Sequence, residues 1–423
     1  MGRLRIYLKP IWYNIMHHKA YAGFCVFGTM LTFVFITILL QVTNVIMGNS
    51  ATNVAAERIV SLPIVLKNES GLPVKGLNRS DIRTLMNNAK GYECYTCYQF
   101  QSTSVKVNGR NYDYGVLFID KVYWDVFQFE FIQGHPFTDG EMQVPCMVVS
   151  ERWAKKFFRD GKAIGREIQF QGETYKVTGV VADVSAFAEG GAVSLWVPEK
   201  FNKYIPTGND YVSSYVLYPE NTSVDAMMKS ITGAFQLYGK AYYNIEQSTS
   251  MKEICTVEEA MLRKYGGDLL LTGVGAILVI LLLIPILNII LLSMANTSLR
   301  NCEIGLQRAL GATQKEAFLF VLMENLLLVV LGTLGGILLT FPICRWIDKW
   351  VSLNSAIGEV TLLPELDWTL LLVSVLPLML LFSLLSGGIP AWLAIKHSIM
   401  EMLKGGAWNV RGNFINFSYL QVD

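Results

Sequence analysis

Charge is scarce in this sequence. Only 16% of its 423 residues are Asp, Glu, Lys or Arg and 52% are hydrophobic, whereas an ordinary soluble chain is roughly a quarter charged. A chain of that composition cannot face water along its whole length. Neither sign dominates: 35 basic against 34 acidic residues leave a net charge of +1, so no global field draws the chain to nucleic acid. Seven cysteines are too few for a disulfide-built scaffold in a chain this long. Phosphate-cradling loops are missing as well. Gly161-Lys162 and Gly239-Lys240 are each followed by Ala, not by the Ser or Thr that ends a P-loop. No nucleophile or acid/base constellation stands out, so no catalytic, cofactor-binding or metal-binding residues are assigned and the chain is expected not to be an enzyme.

What is present in excess is apolar sequence, gathered into four blocks. A bilayer core of about 30 Å takes roughly 20 helical residues to cross, and each block is long enough. The expected transmembrane helices are 20–46, 268–294, 317–344 and 368–395. None shows the polar stripe of a soluble helix, and the first is too long for a cleaved signal peptide. Lys and Arg set the orientation. Arg3, Arg5, Lys9 and Lys19 precede the first block; Arg300, Arg308 and Lys315 lie between the second and third; Lys396, Lys404 and Arg411 follow the fourth. Both termini, 1–19 and 396–423, and the loop 295–316 are therefore expected in the cytoplasm. The long segment 47–267 and the short loop 345–367 then lie outside. The fold class is an α-helical membrane protein of four spans with a large mixed α+β extracytoplasmic domain inserted between helices 1 and 2.

The outer segment carries local signals of its own. Val105 to Tyr112 alternates around Asn108-Gly109, a strong hairpin signal because both turn residues tolerate positive φ. A second hairpin is expected at Ile168 to Val177 around Gln171-Gly172, and Cys146 to Val149 reads as a strand. Ser150 is placed to cap a helix holding Trp153, Ala154, Phe157 and Phe158. The flanks, 57–88 and 224–263, look more helical. Cys94-Tyr95-Thr96-Cys97 has the spacing of a redox pair or half a zinc site, but no second such pair exists. A local disulfide or two plain thiols are the other readings, and pairing among Cys94, Cys97, Cys146 and Cys255 stays open.

The loop from Arg300 to Glu316 is the most informative stretch. Gly311 is suited to end a short helix in the left-handed conformation, and Thr313 with Glu316 makes a capping box that starts the next one. On the residues alone, the short helix is either a solvated turn at the membrane surface or a docking element. Gly332 and Gly336 form a small-xxx-small pair, which serves packing within one subunit or contact in a dimer.

Glu303-Ile304-Gly305-Leu306-Gln307-Arg308-Ala309-Leu310-Gly311-Ala312, followed by an apolar span with Glu324 near its start, resembles the signature loop of the MacB/FtsX-type permeases of ABC transporters. Gly388-Ile389-Pro390-Ala391-Trp392 leading to Met400-Glu401-Met402-Leu403-Lys404 is similar to the end of that family's last span. Gly134-His135-Pro136-Phe137, Val148-Val149-Ser150-Glu151, Ile164-Gly165-Arg166 and Val177-Thr178-Gly179-Val180-Val181-Ala182-Asp183 resemble its periplasmic core.

The resemblance implies a dimer, of like or unlike permeases, whose first and second helices continue outward as a stalk. It implies a porter-like subdomain at 50–103 and 200–260 and an inserted strand-rich subdomain at 104–199. The loop helix becomes a coupling helix, so Glu303, Ile304, Gly305, Leu306, Arg308, Ala309, Leu310, Gly311 and Ala312 are the candidate docking residues. MacB carries its ATPase on the same chain, and only about 19 residues precede the first span here, so the ATPase, with its ATP, is expected on a separate subunit. The implied place is the bacterial cytoplasmic (inner) membrane, in contact with lipid, with a periplasmic adaptor and an outer-membrane duct as further partners. The implied function is export or efflux driven by motion transmitted to the periplasmic domain. An FtsX-like regulator of a cell-wall hydrolase and a lipoprotein-releasing permease are the alternatives.

Overall fold

The computed structural model of the chain describes residues 11–13, 15–47, 55–107, 109–158, 162–188, 193–203, 211–299, 308–309, 311–354, 361–362 and 367–396. Four helices in it are long and apolar enough to cross a membrane. The first is Lys19–Ile46, the second Asp268–Leu299 and the third Gln314–Asn354. The fourth opens at Trp368–Leu370, passes through a π-helical turn at Leu371–Val375 and continues as Leu376–Lys396. Helix is the natural form for such runs, because lipid offers no partner to a backbone N–H or C=O and a helix pairs them internally. The π turn has a local cause. Pro377 has no N–H and its ring would press on the carbonyl four residues back, and just before it the Leu376 N–H reaches five residues back to the Leu371 carbonyl.

The third helix departs from expectation. Its apolar run ends at Cys344 and residues from 345 were expected in a loop, yet the helix continues through Arg345, Asp348 and Lys349 to Asn354. At 1.5 Å per residue its 41 residues extend about 60 Å, roughly twice the hydrocarbon core. A second departure lies ahead of the second span. The resemblance implied that this helix continues outward as a stalk, and the helix ahead of it, Val257–Lys264, is separated from it by a break before Asp268. Gly266 N–H bonds to the Arg263 carbonyl and Gly267 N–H to the Leu262 carbonyl, the paired bonds that close a helix with a glycine past its end.

The chain divides into two compact units. The membrane unit gathers Met1–Ile38, Gly275–Phe341 and Asp367–Asp423; the head unit gathers Leu39–Val274 with Pro342–Leu366.

The head unit is built on one mixed sheet. Its strands are β1 (Ile59–Leu62), β2 (Val65–Lys67), β3 (Pro73–Gly76), β4 (Cys94–Val107), β5 (Arg110–Ile119), β6 (Phe131–Gly134), β7 (Cys146–Ser150), β8 (Glu167–Phe170), β9 (Glu173–Val181), β10 (Leu195–Pro198), β11 (Ser213–Leu217) and β12 (Cys255–Thr256). Apart from the small β2–β3 pair, they run in the order β12-β1-β11-β4-β5-β10-β7-β9-β6, with β8 bridging β4 and β9. β10 is parallel to β5, and β7 to β9. Both expected hairpins form: Val107 faces Arg110, and Phe170 faces Glu173 across Gln171 and Gly172, whose φ of 50° and 79° suit a two-residue turn. The division expected at 103/104 falls inside β4, which pairs with β5 without interruption from Tyr98 to Val107.

Alternation along the strands sends side chains to separate cores. On one face Val60, Leu62 and Val216 pack with Ile82, Leu85, Ile231 and Phe235 from helices Arg79–Met86 and Val224–Tyr243. On the other, Ile59, Leu117 and Leu217 meet the aromatic group Tyr123, Trp124, Phe127 and Trp196. A third core holds Val116, Phe118, Val149, Trp153, Phe170 and Tyr175. Ser150 caps helix Glu151–Phe157 by accepting the Trp153 N–H, as expected. Burying each large side chain is worth roughly 1.5–3 kcal/mol.

Candidate coupling site

The candidate docking residues Glu303, Ile304, Gly305, Leu306 and Leu310 lie outside the described residues. Arg308 and Ala309 are helical, and Gly311 follows at φ +106° with its N–H on the Arg308 carbonyl at 3.1 Å. A side chain is costly there and glycine is not. Ala312 leads into the reciprocal cap expected from the sequence: Thr313 N–H donates to Glu316 Oε2 at 2.8 Å, and Glu316 N–H donates back to Thr313 Oγ1 at 3.2 Å. The carboxylate also faces the positive end of the helix dipole. The joint between the loop and the third helix is therefore a closed, capped turn.

The third helix is in turn fixed to its neighbours. A Cβ on Gly332 would lie 2.6 Å from Thr29 Cβ and 2.9 Å from the Val26 carbonyl oxygen, and one on Gly336 would lie 2.7 Å from the Met30 carbonyl oxygen. The small-xxx-small pair thus brings the third helix against the first within one subunit. Asn325 ties it to the fourth, with Nδ2 donating to Ser386 Oγ at 2.9 Å and to the Ser383 carbonyl at 3.3 Å. Gly387 makes room, since a Cβ there would fall 2.6 Å from Asn325 Nδ2. Phe33 and Phe382 meet edge to face at 5.7 Å between the first and fourth helices.

Glu324 was read from sequence as a boundary residue. It is 4% exposed, within electrostatic reach of Tyr21 and Cys25 on the first helix, and the Tyr21 hydroxyl hydrogen-bonds Ser293 on the second. Sequence reasoning missed this polar seam. Its one visible signal was the adjacent pair Glu324-Asn325 inside an apolar run, because such side chains turn inward in lipid.

The CxxC lead in the head dissolves. Cys94 and Cys97 both lie on β4, and an odd spacing on a strand sends two side chains to opposite faces. Cys94 packs against the Tyr123 core and Cys97 belongs to the Ile231 core. Both are free thiols, as are Cys146 and Cys255. Burial, helped for Cys94 by Asp125, pushes the thiols of Cys94 and Cys97 up to about 11. Thiols held protonated in this way are poor nucleophiles and poor metal ligands. Among the described residues no three His, Cys, Asp or Glu side chains are grouped to hold a metal ion.

Two family models match the chain in succession. Residues 25–234 match the MacB-like periplasmic core domain, and residues 275–399 match the FtsX-like permease C-terminal domain. Among curated relatives, the macrolide export ATP-binding/permease protein MacB of Neisseria meningitidis is 26% identical over 239 residues, covering 55% of this chain and 36% of the relative. An uncharacterized ABC transporter permease of Bacillus subtilis, YvrN, is 25% identical over 243 residues, covering 54% of this chain and 57% of the relative. The match thus spans about a third of the MacB relative and somewhat over half of YvrN. The solved periplasmic region of MacB from Actinobacillus actinomycetemcomitans is similar at 18% identity and a TM-score of 0.39, covering 50% of this chain and 95% of that one. With a mixed α/β domain set between the first and second of four membrane helices, and both domains matched in order, this chain belongs to the MacB/FtsX-like permeases of ABC transporters.

Proposed function

We propose that this chain is the permease subunit of a MacB-type ABC transporter. It takes ATP-driven motion from a separate ATPase subunit at residues 303–312 and delivers it to a periplasmic head to drive export or efflux. It sits in the bacterial inner membrane with both termini in the cytoplasm, beside a second permease of the same kind, and binds no cofactor itself. A periplasmic adaptor and an outer-membrane duct complete the path. The observation that carries this reading is the closed joint at Gly311, Thr313 and Glu316, which feeds a helix wedged onto the first helix at Gly332 and pinned to the fourth by Asn325. A loop displaced by a partner has a stiff path into the bundle. The spans hold few ionisable groups, which fits a transmitter better than a polar conduit.

The test is a complex reconstituted in vesicles with a separate ABC-type ATPase subunit. Glu303→Ala and Arg308→Ala should each lower the permease-dependent stimulation of ATP hydrolysis by roughly five- to tenfold, equal to about 1–1.4 kcal/mol of lost docking contact, with membrane insertion unchanged. Full stimulation by both variants refutes the docking role.

A further inference from the structure

The head is fastened to the outward stretch of the third helix through a buried ion pair. Arg152 Nη2 lies 2.9 Å from Asp348 Oδ2, and the Asp348 side chain is only 4% exposed. Its second oxygen, Oδ1, accepts the Leu362 N–H at 2.8 Å. The strap holding Leu362 is sewn to the head twice more: Ser185 Oγ donates to the Leu362 carbonyl at 2.6 Å, and the Ala186 N–H donates to the Thr361 carbonyl at 2.7 Å. Arg152 is itself held in place. Its backbone N–H donates to Asp183 Oδ1 at 3.0 Å, and its Nε lies 4.0 Å from Asp183 Oδ2.

The sheet explains why these groups converge. β7 and β9 are parallel neighbours that, after a one-residue register shift past Met147, pair from Val148↔Gly179 to Ser150↔Val181, so Arg152 and Asp183, each two residues past a strand end, emerge at one rim. A carboxylate this buried is tolerated only when paired and fully hydrogen-bonded, and Asp348 uses both oxygens. The pair joins residues 196 positions apart, and both partners lie in the head unit.

We propose that Arg152, Asp348 and the strap at Thr361–Leu362 form a latch by which the third helix moves the head directly, alongside the first and second helices. The transmission role rests on the function proposed above; the latch itself does not. Bound this way, the outward stretch of the third helix is part of the head, and an inward or axial displacement of that helix loads the rim of the sheet beyond β7 and β9.

Two arms test it. In membranes holding the full chain without any ATPase, Arg152→Cys with Asp348→Cys should be joined by a short bifunctional maleimide at least tenfold faster than Arg110→Cys with Asp348→Cys. Equal rates overturn the latch. In the reconstituted complex, Asp348→Asn and Arg152→Gln should each cut nucleotide-driven transport at least threefold while leaving ATPase docking intact, measured as co-purification of the ATPase. The exchanged pair R152D/D348R should recover at least half of the loss. Unchanged transport in both single variants overturns the transmission role. No nucleotide-driven response in the wild type overturns the proposed function and the transmission role with it, while the cross-linking arm still decides the latch.

Discussion

Gly134 stands at φ +73° opposite Gly179, where β6 pairs with β9. A Cβ on it would come within 2.1 Å of the Thr178 carbonyl oxygen and 2.9 Å of Gly179 Cα. The Gly-His-Pro-Phe motif that marks the family resemblance is thereby explained as architecture. Glycine permits the close crossing, and Phe137, three residues on, is 1% exposed in the aromatic core. His135 is more than half exposed and touches the Pro136 carbonyl and Glu141. Gly134→Ala combines backbone strain with backbone overlap, each costing roughly 1–3 kcal/mol. The detergent-solubilised protein should therefore lose about 2–6 kcal/mol in denaturant unfolding. A midpoint equal to that of the parent would show that the crossing is not tight.

At the scale of elements, the contact between the first and third helices makes a signed prediction. Gly332→Ala must push against Thr29 and should lower the apparent Tm. Gly388→Ala, where nothing lies within 4 Å of the added carbon, should hold or raise it, because alanine is favoured over glycine in a helix by up to about 1 kcal/mol. Thermal scans of the two variants decide it; a fall of the same size in both defeats the reading. Elements set by neighbouring residues were legible in the sequence. The two hairpins, the Ser150 cap and the Thr313–Glu316 box each depend on a few adjacent side chains. Elements set by distant partners were not. The pattern around Arg345 to Asn354 holds too many polar residues for a span and carries no separate helix signal, since packing and not propensity decides most helices. The parallel pairing of β5 with β10 joins residues far apart in the chain, and nothing local announces it. The polar seam of Glu324 and Asn325 was visible as residues, while its partners on three other helices were not.

For the whole molecule, the proposed topology puts the head and the loop 295–316 on opposite sides of the membrane, as the distribution of Lys and Arg suggests. An impermeant thiol reagent added to intact spheroplasts should label Arg110→Cys and spare Ala312→Cys; the reverse pattern would invert the proposed topology. Orientation is read from summed charge and not from packing, and the labelling decides it. The internal plan of the head was not legible locally, because a single long strand joins its parts. β4 holds fourteen residues and is the shared plank of what had been expected as two subdomains, pairing with β11 over Cys94–Tyr98, with β5 over Tyr98–Val107 and with β8 near its end. A plank has no elbow. Strain applied at one margin of the sheet is carried along β4, because bending the strand midway would break its ladder with β5. Insertions that split this strand should therefore blunt the stroke even where each half still folds.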